Sequence, residues 1–193
     1  MKMVVNREKE ALRHRLLTRL LALTESELKR RSKNVENRLA EIPVYKNAKK
    51  IMAYYPLRGE VDVLEMIRKD QESKVFCFPV MDVKAKNLRI FEVKNFEKDF
   101  VTGPLGVKEP DTTKTREVDI GEIDMIIVPG LGFDLDKNRL GRGAGFYDRF
   151  LEKIPLSVAK VGIAFEFQVL DNLPINLPSD QKVDILVSEN TII

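Results

Sequence analysis

Cysteine is almost absent from this sequence: Cys77 stands alone among 193 residues. One thiol excludes an internal disulfide and any cysteine-rich zinc site. It sits in "KVFCFPV" (Lys74–Val80), an apolar strand-like run, and reads as a buried structural thiol. Histidine is as scarce. His14 lies among arginines and leucines with no carboxylate or nucleophile partner in its local sequence, which points to a helix face rather than to acid–base work. Long apolar runs are missing, and no stretch approaches the ~18 residues of a membrane span. The N-terminal "MKMVVNREKEALRHRL" lacks the apolar segment of a secretory signal and carries acids that a transit peptide avoids. The expected compartment is the cytoplasm, with no membrane partner. A charge excess is missing too. The 33 basic and 30 acidic residues leave +3. A general nucleic-acid binder carries a larger excess or a basic block, so no nucleic-acid partner is expected. The short cluster "KRRSK" (Lys29–Lys33) has glutamates around it in the same helical pattern and reads as a solvated face.

What is present is a globular composition, 44% apolar and 33% charged. The length suits one domain over residues 1–193 with a sizeable core. Neither an internal repeat nor a low-complexity linker divides it. Leu12, Leu16, Leu20 and Leu23 mark one helical face over residues 6–22. Thr24 and Glu27 form a capping-box pattern for a second helix running to about Glu41, where Pro43 bars continuation. "KKIMAYYPL" reads as a strand ending at Pro56. Asp62 N-caps a short helix, and "KVFCFPV" and "NLRIFEV" are further strands. Residues 94–122 are loop-rich around "GPLGVKEP" (Gly103–Pro110). "IDMIIVPG" is a strand buried on both faces, followed by a helix from about Ala144 to Lys153. "VAKVGIAF" and "VDILVSE" supply two more strands. Strands alternating with helices predict a three-layer α/β/α fold with a mostly parallel central sheet. Ligands in such folds sit at the carboxyl ends of the strands. That gathers Pro56–Glu60, the loop after Val80 and the segment after Val128 around one crevice.

Five of the ten glycines fall between Gly130 and Gly145. In "NRLGRGAGFYDRF" (Asn138–Phe150), Gly141, Gly143 and Gly145 alternate just before the helix. Glycine lets a ligand approach the main chain closely. The helix start adds unpaired N–H groups and a positive dipole end. Arg139 and Arg142 add bidentate donors for phosphate oxygens. The stretch is built for a polyphosphate, yet neither common motif fits. No Gly-Lys-Ser/Thr closes a P-loop, and a dozen residues separate the glycines from the strand that a dinucleotide fingerprint would abut.

"DMIIVPGLGFDLDKNRLGRGAGFYDRFL" resembles the signature of the 5-formyltetrahydrofolate cyclo-ligase family, V-P-G-x-x-F-D followed by R-L-G-x-G-x-G-x-Y-D. It covers nearly thirty residues and is highly specific. "KEALR" (Lys9–Arg13), "YYPLRGEVDV", "GPLGVKEP" and "LPSDQKVDILVSE" resemble further family segments. The chain departs from the family pattern at three places: Ser179 stands where many relatives carry histidine, Phe146 where tyrosine is frequent, and Ala144 where relatives have lysine or glycine.

The resemblance implies an ATP- and magnesium-dependent closure of 5-formyltetrahydrofolate to 5,10-methenyltetrahydrofolate. It places ATP on Lys9, Arg13, Arg139, Leu140, Gly141, Arg142, Gly143, Ala144, Gly145, Phe146 and Tyr147. Substrate falls to Tyr55, Glu60, Arg142, Gly143, Ala144, Gly145 and Phe146, with Arg142 catalytic and Asp148 and Asp180 on the metal. From the residues alone, Lys9 and Arg13 share a helix face, and Asp134 and Asp136 read as turn residues. Tyr55, Phe133, Phe146 and Tyr147 offer flat surface for a ring, with at least two of them expected to face the core instead. Phosphoryl transfer asks mainly for positioning and charge, which suits a chain with one histidine. A kinase-like enzyme on the same scaffold and a non-catalytic nucleotide- or folate-binding module are the alternative readings. Without a self-pairing segment, a monomer is expected.

Overall fold

The computed structural model describes residues 2–104, 106–174 and 180–193. Helices α1 (Lys2–Leu21) and α2 (Glu25–Glu41) open the chain. The capping box between them forms as predicted. Thr24 Oγ1 accepts from Glu27 N at 3.3 Å, and Glu27 Oε2 accepts from Thr24 N at 3.0 Å. Pro43 ends one helix and starts another, α3 (Pro43–Asn47), because a first-turn proline forfeits no hydrogen bond. Then come β1 (Lys50–Met52), α4 (Leu64–Asp70), β2 (Val75–Asp82) and β3 (Asn87–Val93). The loop-rich stretch holds the hairpin of β4 (Phe100–Thr102) and β5 (Lys108–Pro110), followed by β6 (Arg116–Val118). Beyond it lie β7 (Met125–Pro129), β8 (Gly132–Asp134), β9 (Arg139–Leu140) and α5 (Phe146–Leu151). Strands β10 (Ala159–Ile163), β11 (Val169–Leu170) and β12 (Ile185–Val187) complete the described chain.

The central sheet has the order β12-β10-β7-β1-β2-β3-β6. The first five strands are parallel; β3 is antiparallel to both β2 and β6. Alternate side chains of each buried strand serve opposite layers, as a period of two requires. Ile51, Met125 and Ile127 pack with Val35, Leu39 and Ile67 of α2 and α4. Met52, Ile126 and Val128 pack with Phe150 and Leu151 of α5. Helices on both faces of one sheet make the expected three layers in a single α/β domain. Cys77 is fully buried in the α5 layer, as its apolar run implied. Among the described residues no helix is long and apolar enough to cross a membrane.

Two elements are shorter than their sequence patterns. Strand β1 ends at Met52, not Pro56, because Tyr54 turns inward and its hydroxyl donates to Val61 O at 2.7 Å, closing the 55–61 loop. Helix α5 starts at Phe146, not Ala144. Gly143 (φ +105°) and Gly145 (φ +71°) hold the chain in conformations that no right-handed helix contains.

Candidate active site

The strand ends and the glycine loop enclose one cavity of about 260 Å³. Its wall includes Tyr55 and Glu60 after β1, Pro79 and Met81 at the end of β2, and Pro129 and Gly130 after β7. Loop residues Gly141, Arg142, Gly143, Ala144 and Gly145 form the rim, followed by Phe146, Tyr147 and Asp148 of α5. The three segments expected at one crevice therefore meet there.

The two loop arginines, three residues apart, turn opposite ways. Arg142 lies on the rim with its side chain 38% exposed. Its Nε and Nη2 donate to Glu60 Oε1 at 3.0 and 2.9 Å. The other oxygen of Glu60 accepts from Leu57 N at 2.9 Å, so both are engaged. Arg139 is buried beneath the loop. Its Nη1 donates to Pro129 O at 3.1 Å and its Nη2 to Asp148 Oδ1 at 2.6 Å. The guanidinium lies 5.5 Å from the Tyr147 ring centre, and its Nε has no partner among the described residues. Leu140 is buried among Leu12, Leu16 and Leu173, so only its main chain is open to a ligand.

Helix α1 brings Arg13 against the glycine loop, while neither Arg13 nor Lys9 is among the residues of the cavity wall. Arg13 Nε donates to Gly141 O at 2.9 Å. Lys9, buried, donates to Asp180 Oδ2 at 2.6 Å. The second predicted metal ligand thus sits in an ion pair with a predicted phosphate ligand. Ser179 lies outside the described residues.

The aromatic residues sort into core and crevice. Phe133 is fully buried under the sheet's end and offers no ring to a ligand. Tyr55, half-buried, lines the cavity and packs edge-on against Phe100 at 5.1 Å. Phe146 and Tyr147 line it as well. The Tyr147 hydroxyl is buried with no partner among the described residues, and burial pushes its ionisation well above the usual tyrosine range. Asp134 is the buried last residue of β8, from which the turn to β9 departs, and its carboxylate accepts from Asn138 N at 2.9 Å and from Leu173 N at 3.1 Å. His14 is exposed on α1.

Glu109 is a wall residue that the sequence reading passed over. The 103–110 segment stands out in the sequence, but no single side chain within it does. A glutamate beside proline in a short loop looks solvated; its burial depends on β5 folding back on β2.

The sequence profile of the 5-formyltetrahydrofolate cyclo-ligase family matches residues 5–189. The NMR structure of a 5,10-methenyltetrahydrofolate synthetase from Aquifex aeolicus superposes with a TM-score of 0.83 at 34% identity, over 95% of this chain and 91% of that one. A 5-formyltetrahydrofolate cyclo-ligase of Haemophilus influenzae is 30% identical over 74% of this chain and 77% of its own. The mouse cyclo-ligase is 29% identical over 97% and 96%.

Proposed function

The chain belongs to the 5-formyltetrahydrofolate cyclo-ligase family, and from that premise we propose how its residues divide the chemistry. The activity is the ATP-dependent closure of 5-formyltetrahydrofolate to 5,10-methenyltetrahydrofolate. A formamide oxygen leaves poorly. In the proposed sequence it attacks the γ-phosphorus, an O–P bond forms and the bond to ADP breaks. N10 then attacks the activated carbon, its proton passes to phosphate or solvent, and the C–O bond breaks with loss of phosphate. One ADP and one phosphate accompany each product.

One observation carries the assignment of residues. Arg142, on the phosphate-type loop, and Glu60, beyond the central strand, meet across the mouth of a single cleft. In this reading Lys9, Arg13 and the main chain from Arg139 to Tyr147 hold the triphosphate. Arg142 leaves Glu60 for the γ-phosphate and the formyl oxygen, where it stabilises charge on the transferring group. Glu60, released, takes hydrogen bonds from the folate. Gly143, Ala144, Gly145 and Phe146 face both ligands, and Tyr55 supplies ring contact. Arg139 orients Asp148 from beneath.

Asp148 fits a magnesium ion. It lines the cavity beside the loop, and its Oδ2 carries no hydrogen bond among the described residues. Magnesium takes one or two carboxylates with phosphate oxygens and water. Asp180 is the second ligand if Lys9 exchanges it for a phosphate. Bound there, the ion would neutralise charge on the phosphate oxygens. A monomer in the cytoplasm completes the proposal, to be tested by sedimentation and by cell fractionation.

Purified protein is incubated with 5-formyltetrahydrofolate and Mg-ATP while near-ultraviolet absorbance follows the methenyl product. The expected outcome is one ADP and one phosphate per product, and no turnover without a divalent cation. Turnover without ATP, or cleavage to AMP, would overturn the phosphorylated intermediate.

A further inference from the structure

Glu109 is only 4% exposed, yet it lines the active-site cavity. Its carboxylate lies against the backbone of Gly103 in the β4–β5 turn, where a Cβ would come within 2.5 Å of it. The only hydrogen bond it makes among the described residues is a long one, with Oε1 accepting from Met81 N at 3.3 Å. Among the described residues Oε2 accepts none, and no ion pair there includes Glu109. Burial raises its ionisation above the ordinary glutamate range, and the Met81 N–H only partly offsets that. A buried carboxylate without a partner is costly unless something supplies donors. Here the open side is the cavity. Glu60 contrasts with it at every point, having both oxygens satisfied and an arginine beside it.

The same cavity wall carries the apolar side chains of Tyr55, Pro79, Met81 and Leu88, and Lys108, next to Glu109 in the chain, also lines it. Strand order separates the two ends of the cleft. Arg139 donates to Pro129 O at the end of β7 and Glu109 accepts from Met81 N near the end of β2; β1 lies between, so these two strand ends are two spacings, or roughly 10 Å, apart. A flat bicyclic ring spans such a gap. The pterin ring of the substrate carries adjacent donors, the 2-amino group and N3–H, on the edge remote from N5 and N10. Two neighbouring N–H donors match the two oxygens of one carboxylate.

We propose that Glu109 is the residue that reads this pyrimidine edge of the folate, anchoring the far end of the ring while the formyl group meets ATP near Arg142. The inference rests on the cyclo-ligase reading and deepens it: Glu109 sets substrate specificity, and Glu60 serves the reacting end.

The test pairs a residue change with a substrate change. Glu109→Gln keeps the shape and turns one acceptor into a donor that faces donors. Its KM for 5-formyltetrahydrofolate should rise ~30-fold or more, with the KM for ATP unchanged. Its thermal midpoint should equal or exceed that of the wild type, since an unpaired buried charge is gone. Glu109→Asp, which withdraws the carboxylate by one methylene, should shift the folate KM in the same direction and serves if the glutamine variant does not fold. Direct titration with 5-formyltetrahydrofolate and its 2-desamino analogue closes the cycle. Wild-type protein should discriminate between them at least ~10-fold, and Glu109→Gln should not. Equal discrimination by both proteins overturns the proposal, as does an unchanged folate KM in both variants. A wild-type protein that binds folate but forms no methenyl product fails the cyclo-ligase reading instead, and the titration still decides the role of Glu109.

Discussion

Arg139 and Arg142 have the same side chain, three residues apart, and opposite environments. Arg142→Ala should lower kcat at least ~100-fold, about 2.7 kcal/mol, the range found when one fixed donor to a developing charge is removed. Arg142→Lys should rescue little, because lysine lacks the planar fork. Arg30→Ala, exposed on α2, is the silent control. Near wild-type turnover of Arg142→Ala at saturating substrates would remove this arginine from the mechanism. Arg139→Ala should fail differently, by stability. It strands Asp148 and Pro129 O, which Arg139 now satisfies. Because the Asp148 side chain is 24% exposed to the cavity, the loss should be nearer that of a stranded hydrogen-bond partner, about 1–3 kcal/mol, read from the denaturant midpoint. Tyr147→Phe removes a buried hydroxyl without a partner among the described residues. The ligand-free variant should be as stable as wild type or gain about 1 kcal/mol, with weaker ATP binding if that hydroxyl meets the nucleotide. A clear loss of stability without ligand would show that the hydroxyl is already bonded.

At the scale of elements, caps and glycines set where helices begin. Thr24→Ala removes one half of the α2 capping box and should cost about 1 kcal/mol. It should leave kcat and both KM values unchanged, since α2 serves the sheet face away from α5. Gly143 belongs to the opposite case. Its φ of +105° is closed to other residues, while a Cβ there would meet Arg13 only at ordinary contact distance, 3.6 Å. Gly143→Ala should therefore act through the backbone, straightening the loop and lowering kcat/KM with little change in the melting midpoint. An equal loss of both would mean that the loop is part of the fold's stability rather than a phosphate cradle.

Across the whole molecule, the sheet's double burial makes Cys77 a reporter of global unfolding. Burial pushes its thiol up to about 12. A thiolate is the reactive form, so a thiol reagent at pH 8 should modify the native protein only as fast as it opens globally. Rapid labelling without denaturant would place Cys77 in a locally opening unit and contradict its position in the α5 layer.

Local chemistry was legible in the sequence alone. A capping box needs only Thr24 and Glu27 at the right spacing, and it forms. The apolar run of β7 announced a strand covered on both faces, and alternating strands and helices announced the layers. The glycine-arginine motif, nearly thirty residues long, is specific enough to point to the family by itself. Three features were decided by tertiary structure. Positive φ at Gly143 and Gly145 sets the start of α5 at Phe146, where the sequence suggests about Ala144. Arg139 turned under the loop and Arg142 out to Glu60, because only the folded arrangement sets Asp148 and Pro129 O beneath the first and a glutamate from the 55–61 loop beside the second. Glu109 became a buried cavity wall because β5 folds back on β2, a contact between segments that no local pattern encodes. Sequence spacing reports what neighbours along the chain do to one another; burial and partnership depend on residues that meet only after the sheet is built.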